Sequence, residues 1–158
     1  MAQTFVEQFK MTNGTPVATT DGGITCDYIS VKNAHRVTIV VDLLQAASHT
    51  TALTVNVATS VAAAGATAMV ATVPIWKNAD ISSTDTLVRG TDAVTVLATA
   101  GATNQQLVME IPIAKLAAGY DCIAAILDNS SQANNYAVVN YFIETRYPQA
   151  TPPTAIDD

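Results

Sequence analysis

The sequence predicts an all-β protein, a double-sheet β-sandwich of jelly-roll type that ends in an extended, proline-containing tail. Three observations lead there. Apolar and polar residues alternate with a period of two over most of the chain, which marks strands with one buried face. Val and Thr are abundant, at 17 and 22 residues, and branching at Cβ favours pleated surfaces over helices. Turn residues punctuate the alternating segments every 10–20 residues or so, with no long helical pattern between them. An immunoglobulin-like sandwich is the second architecture that fits this pattern.

Residues 1–23 are mixed in character and read as an N-terminal segment or arm, with turn signals at Asn13-Gly14 and Asp21-Gly22-Gly23. The sandwich domain is expected over 24–147. Its first strand is 27–31, and a turn leads into 36–43. There Val37, Ile39, Val41 and Leu43 point one way and Thr38, Val40 and Asp42 the other. Leu53, Val55 and Val57 interleave with Thr54, Asn56 and Ala58. Residues 62–67, with Gly65, form a loop, and 69–76 is extended again. Pro74 lacks an amide hydrogen and so belongs at a bulge or on an edge strand. A polar loop over 78–85 precedes short strands at 86–89 and 93–99. After a turn at 101–104, Leu107, Met109, Ile111 and Ile113 alternate with Val108, Glu110 and Pro112. Residues 114–119 suit one helical turn closed by Gly119. The segment 120–127 is apolar on both sides, as in a strand covered on both faces. A polar turn over 128–135 leads to the last long strand, 136–147. The tail, 148–158, contains Pro148, Pro152 and Pro153, which cannot join a central ladder. It is expected to leave the sandwich, either as a frayed end or as an arm anchored on a neighbour by Ile156.

Charge narrows the possible functions. Only 20 of 158 residues are charged, 13%, where a soluble domain carries about a quarter. A surface this poor in charge suits a protein covered by neighbours in an assembly. The net charge is −6, and no two of the seven Lys and Arg are adjacent. Nucleic-acid binding needs clustered cations to displace counterions, so no nucleic acid is expected. The acidic balance also disfavours anionic membranes. The stretch 50–76 has no charged residue, but Asn56, Ser60, Gly65, Pro74 and six Thr dilute it below what a membrane span requires. The first residues carry neither the positive region nor the apolar run of a secretory signal. Cys26 and Cys122 lie far apart in sequence; they read as buried thiols, with a disulfide as the alternative.

The catalytic inventory is thin. The sequence has no nucleophile elbow, no HExxH, no phosphate-binding glycine loop and no EF-hand loop. His35 and His49 read as surface or turn residues. Asp80, Asp85 and Asp92 lie in a loop-rich region, but their spacing matches no calcium loop and they read as solvated turn residues. Asp121 and Asp128 bracket one strand as turn acceptors. Asn129-Ser130-Ser131 matches a glycosylation sequon. Trp76 with Tyr120, Tyr136, Tyr141 and Tyr147 would be the material for a sugar-stacking platform, with core or interface packing as the more economical role. The chain is expected not to be an enzyme and to need no cofactor or metal.

Several segments, in order, carry a resemblance. They are Asp27-Tyr28-Ile29-Ser30-Val31-Lys32-Asn33, Ile75-Trp76-Lys77-Asn78, Gly119-Tyr120-Asp121-Cys122-Ile123, Arg146-Tyr147, and Ala150-Thr151-Pro152-Pro153-Thr154-Ala155-Ile156. Together the chain from about residue 24 onward resembles the auxiliary capsid proteins of tailed bacteriophages, the head decoration or cement proteins. The resemblance implies a structural virion protein on the capsid surface, made in the host cytoplasm. It implies a homotrimer whose partners are its own copies and the major capsid protein. The candidate contact residues are Trp76, Tyr141, Arg146, Tyr147, Pro152, Pro153 and Ile156. The alternative function is a receptor- or glycan-binding module of a head fibre or tail.

Overall fold

The computed structural model describes residues 4–46, 49–101, 103–147 and 154–156. A short helix, α1 (Phe5–Gln8), leads into the first strand. Along the chain the strands are β1 (Phe9–Thr19), β2 (Ile24–Thr25), β3 (Ile29–Ser30), β4 (Ala34–Gln45), β5 (Ala52–Ala58), β6 (Thr67–Ala68), β7 (Ile75–Asn78), β8 (Val88–Arg89), β9 (Val96–Leu97), β10 (Thr103–Pro112), β11 (Cys122–Leu127) and β12 (Tyr136–Thr145). A single 3-10 turn, Ile113–Lys115, follows β10, and Gly119 beyond it has a positive φ of 91°. The two sheets are antiparallel and pack face to face, so the chain is the double-sheet sandwich that the alternation predicts. The first sheet runs β1-β12-β4-β10-β7-β8 and the second β2-β11-β5-β6.

The interior follows from the period of two. Val37, Ile39, Val41 and Leu43 of β4 are buried, as are Leu107, Met109 and Ile111 of β10. Leu53, Val55 and Val57 of β5 meet them from the second sheet, with Ile123, Ala125 and Leu127 of β11. Cys122 and Ala124 point out of β11 on the opposite face. There they form a smaller cluster with Tyr28 and Ala58, joined by Val61 and Ala63 from the loop after β5. The strand that reads as apolar on both sides is therefore covered on both sides, by the chain itself.

Two pairs of short strands share edges. β6 and β9 lie along the same edge of β5, at Val57↔Thr67 and Leu53↔Val96. Between them the chain crosses to the first sheet, supplies β7 and β8, and returns. Pro74 sits at that crossing, just before β7, and its carbonyl accepts from Glu110 N at 3.0 Å. β2 and β3 share an edge of β11, with Thr25 opposite Ile126 and Ile29 opposite Ile123. From Thr25 to Ile29 is four steps, and from Ile126 to Ile123 three, so this edge carries one extra residue, a β-bulge.

Within the N-terminal segment, residues 9–19 are part of the first sheet. They form β1, which pairs with β12 from Phe9↔Glu144 to Thr19↔Tyr136 and is interrupted by register shifts on either side of Thr15. Asn13-Gly14, a turn signal in sequence, lies inside this strand. Its glycine is there for space: a Cβ on Gly14 would stand 2.6 Å from Cε2 of Tyr141. Residues 154–156 likewise return to the sandwich and do not leave it, since Ala155 is buried and its carbonyl accepts from Ser30 N at 2.6 Å. The remainder of the tail, including Pro152 and Pro153, lies outside the described residues.

Tyr141 on β12 is fully buried. Its hydroxyl accepts from Ala125 N of the opposite sheet at 2.8 Å and donates to Asp27 O at 3.3 Å. Tyr141→Phe should leave Ala125 N–H unpaired in the core and cost about 1–3 kcal/mol. Gly14→Ala should cost a similar amount by overpacking, about 1–3 kcal/mol. Urea unfolding measures both, and parental stability for Tyr141→Phe would remove the role assigned to the hydroxyl.

Candidate functional site

The sandwich presents two unlike outer faces. On the second sheet, Tyr28 and the loop after β5 cover the centre. On the first sheet the outward row Asn140, Val40, Val108 and Trp76 is in register across β12, β4, β10 and β7; Val108 is buried and the other three are half-buried.

This face holds large apolar side chains and internally matched polar ones. At the β1 edge Phe5 stacks on Phe9 with ring centroids 4.9 Å apart and meets Phe142 edge-on at 6.2 Å. Met11, on the same strand as Phe9, is 52% exposed. Toward the other end of the strands, Val17, Leu44, Ile81, Tyr136 and Val138 line a shallow groove of about 210 Å³. Beyond β10, Trp76, Leu87, Val108 and Glu110 line a further hollow. Exposed apolar side chains grouped in this way are material for an interaction surface.

The polar groups among them are largely spoken for. Arg36 bridges two strands, at 3.1 Å from Glu110 and 2.9 Å from Glu144. Gln106 donates to Asp42 at 2.8 Å, and Asn13 to Asn140 at 3.2 Å. Such half-exposed pairs contribute little to stability, on the order of 0–1 kcal/mol each. Their effect here is to fix the side chains; one guanidinium answers two glutamates and Asp42 is bonded to a neutral amide, so this face stays net acidic.

The sequence-derived contact residues fall in different places. Tyr141 is a correction: it is enclosed between the sheets and cannot touch a neighbour. Trp76 is half-buried, and the Arg89 guanidinium lies 5.1 Å above its ring. Arg89 in turn holds Asp92 at 2.6 Å. That stack occupies a ring face that a sugar would need. Arg146 is exposed but tied down, its Nε donating to Ala34 O at 3.0 Å. Tyr147 and Ile156 are exposed, at 70% and 51%. Arg146, Tyr147 and Ile156 come near one another beside residues 30–34, and Trp76 and Tyr141 do not join them. Phe5, Phe9, Met11, Phe142 and Leu44 are not among the sequence-derived candidates, although Leu44 and Phe142 stand at outward positions of β4 and β12.

The remaining polar motifs serve local structure. Asp80 accepts from both Ser82 and Ser83 in its own turn, which holds its carboxyl below the usual range. Asn129 Oδ1 accepts from Gly22 N at 2.8 Å and Ser131 N at 2.7 Å, so the sequon asparagine braces a turn. His49 lies 3.2 Å from Ser130 O. Among the described residues, no three His, Cys, Asp or Glu side chains come together as a metal site.

Both cysteines are buried thiols in separate apolar clusters, Cys26 in the main core and Cys122 on the outer side of β11. Burial, reinforced by the Asp27 charge, pushes Cys26 up to about 12. Burial also holds the Tyr141 phenol well above its usual value.

No protein-family model matches the chain, and no curated protein matches it. Among solved structures it is similar to the SPBc2 prophage-derived protein YomS, at 10% identity and a TM-score of 0.48, over 85% of this chain and 92% of that one. That degree of likeness carries nothing about function.

The thiol gives a pH prediction. Unfolded, Cys26 ionises near 9, and folded near 12. The folded state keeps its proton while the unfolded state loses it. Stability should therefore be full below pH 9 and decline between 9 and 12, by at most about 1.4 kcal/mol per unit for this group. Tyr141 adds a decline of the same sign. Urea midpoints measured from pH 7 to 10.5 should fall above 9, and Cys26→Ala should lessen the slope. Equal slopes for parent and variant would refute the assignment to Cys26.

Proposed function

We propose that the chain is a structural virion protein that decorates and cements the capsid shell of a tailed bacteriophage as a homo-oligomer. The observation that carries this reading is the outer face of the first sheet: it is partly apolar, with Phe5, Met11, Val17, Leu44 and Tyr136 exposed on it, and its polar side chains are largely bonded to one another. The resemblance of segments from residue 24 onward supplies the capsid context. Strand order adds support. With β2 and β3 counted as one strand and β6 and β9 as another, the first sheet takes strands one, eight, three and six of eight, extended by β7 and β8. The second takes two, seven, four and five. We read this as a jelly roll, an architecture that viral capsid domains use.

The physics suits the task. A shell offers many equivalent sites, so modest contacts add up when several subunits engage at once. A protein that binds only the assembled lattice stabilises it by mass action. Neither requires a reactive group, and the chain's basic side chains are mostly engaged within the fold. The major capsid protein and sister subunits are the partners this reading names.

Purified protein should sediment as an oligomer and add to expanded shells. A monomer that ignores shells would sink the proposal. Met11 and Leu44 are exposed, so Met11→Asp with Leu44→Asp should preserve folding and weaken self-association or shell binding at least tenfold. Undiminished assembly would move the contact surface elsewhere.

A further inference from the structure

The second sheet has an open edge at β3, and the chain closes it with its own C-terminal segment. Ser30 N points away from β11 and donates to Ala155 O at 2.6 Å. Ala155 is 7% exposed, and it closes a cavity of about 50 Å³ lined by Lys10, Ser30, Asn33, Ala34, Ile143 and Thr145. An exposed strand edge is a template for an added extended segment. Here the added segment contributes one backbone acceptor, the Ala155 methyl and part of the cavity wall at Thr154, and Ile156 beside it stays 51% exposed.

The two ends of this connection are close together. Arg146 N donates to Asn33 O at 2.8 Å, and Ala155 is held at Ser30. Ser30 and Asn33 are three residues apart, at most about 10 Å along the chain. Residues 146 and 155 are nine apart (155 − 146), and nine residues reach about 30 Å when extended. The connection is thus some three times longer than its present span requires.

We propose that this seat is an exchangeable docking site, which also takes residues 154–156 of a second copy. The inference rests on the homo-oligomer proposed above. The contact is a backbone hydrogen bond plus a buried methyl, identical in chemistry whether the segment comes from the same chain or a neighbour. Reach and local concentration then decide between the two. Within an oligomer the spare length lets the segment cross to a sister subunit, the exchange of an identical element between protomers.

Cysteine pairing tests this in the full-length chain. Ser30 and Ala155 line the same cavity, while native Cys26 and Cys122 are buried. Ser30→Cys and Ala155→Cys chains are mixed at equal amounts, at a concentration where sedimentation has fixed the oligomeric state, and oxidised gently. A disulfide-linked heterodimer at least tenfold above the homodimers of either variant alone supports exchange. The double variant Ser30→Cys/Ala155→Cys controls for the seat by closing within one chain. Closure in the double variant without heterodimer in the mixture overturns exchange and leaves a latch within the chain. Closure in neither overturns the seat itself. An oligomer by sedimentation that yields no heterodimer rejects exchange but not the decoration reading, whereas a monomer rejects that reading.

Discussion

A buried hydroxyl holds the two sheets in register. The β2–β3 edge has one residue too many, and the bulge leaves Ala125 N–H facing inward without a ladder partner from that edge. Tyr141 reaches across the core to accept from it at 2.8 Å and turns its own proton toward Asp27 O. The hydroxyl satisfies a donor whose exposure to an apolar core would cost about 1–3 kcal/mol. It also fixes where β12 stands over β11. That position forces a gap in β1, and Gly14 fills the gap with no side chain. Asp27 N then donates to Gly14 O at 3.2 Å, a backbone bond between the two sheets. Bulge, tyrosine and glycine form one constraint, and Cys26 is buried next to it; that burial is what makes its thiol reluctant to ionise.

The parts of the fold that sequence made legible are those with a one-sided burial. From Val37 to Leu43 in β4, Leu53 to Val57 in β5 and Leu107 to Ile111 in β10, every second residue is apolar and buried, and the period of two reads directly. β1 could not be read in the same way. It is an edge strand with Phe9 and Met11 facing outward and Gly14 facing in, so its hydrophobic signal is inverted and its bulges break the period. Tyr141 was legible as a strand residue but not by face. Its strand carries apolar groups on both sides, and alternation alone gives no sign. Gln105 shows the converse. An amide in a strand suggests an outward position, yet it is buried because it closes the preceding turn, accepting from Thr99 N at 2.8 Å and donating to Thr99 O at 2.6 Å. The candidate surface was half legible: outward apolar residues of β4 and β12 were visible, but the pairing that places Phe142 beside Phe5 spans the whole chain.

The scarcity of charge has a structural counterpart. The chain has few cations, and the folded protein uses most of them on itself: Arg36 on two glutamates, Arg89 on Trp76 and Asp92, Lys77 on Leu97 O and Thr99, and Lys32 on Asp121. Pairing of this kind adds little stability at a half-exposed surface. Its consequence is that long side chains are already ordered and partly neutralised before any partner arrives. A partner that covers them then loses less conformational freedom and leaves fewer charges uncompensated.

The same economy governs the sheet edges. β1 is long enough to recruit a foreign strand, but Pro16 and the register shifts around Thr15 spoil it as a template. The β5 edge is divided between two short strands, β6 and β9. The β3 edge is the exception, because it is capped by so little, one residue delivered on a connection far longer than its span. An edge that must stay closed is more securely covered by a bulge or a proline. An edge covered by a tethered segment is one that can be uncovered, and that asymmetry is why the proposed exchange falls at β3 rather than at β1 or β5.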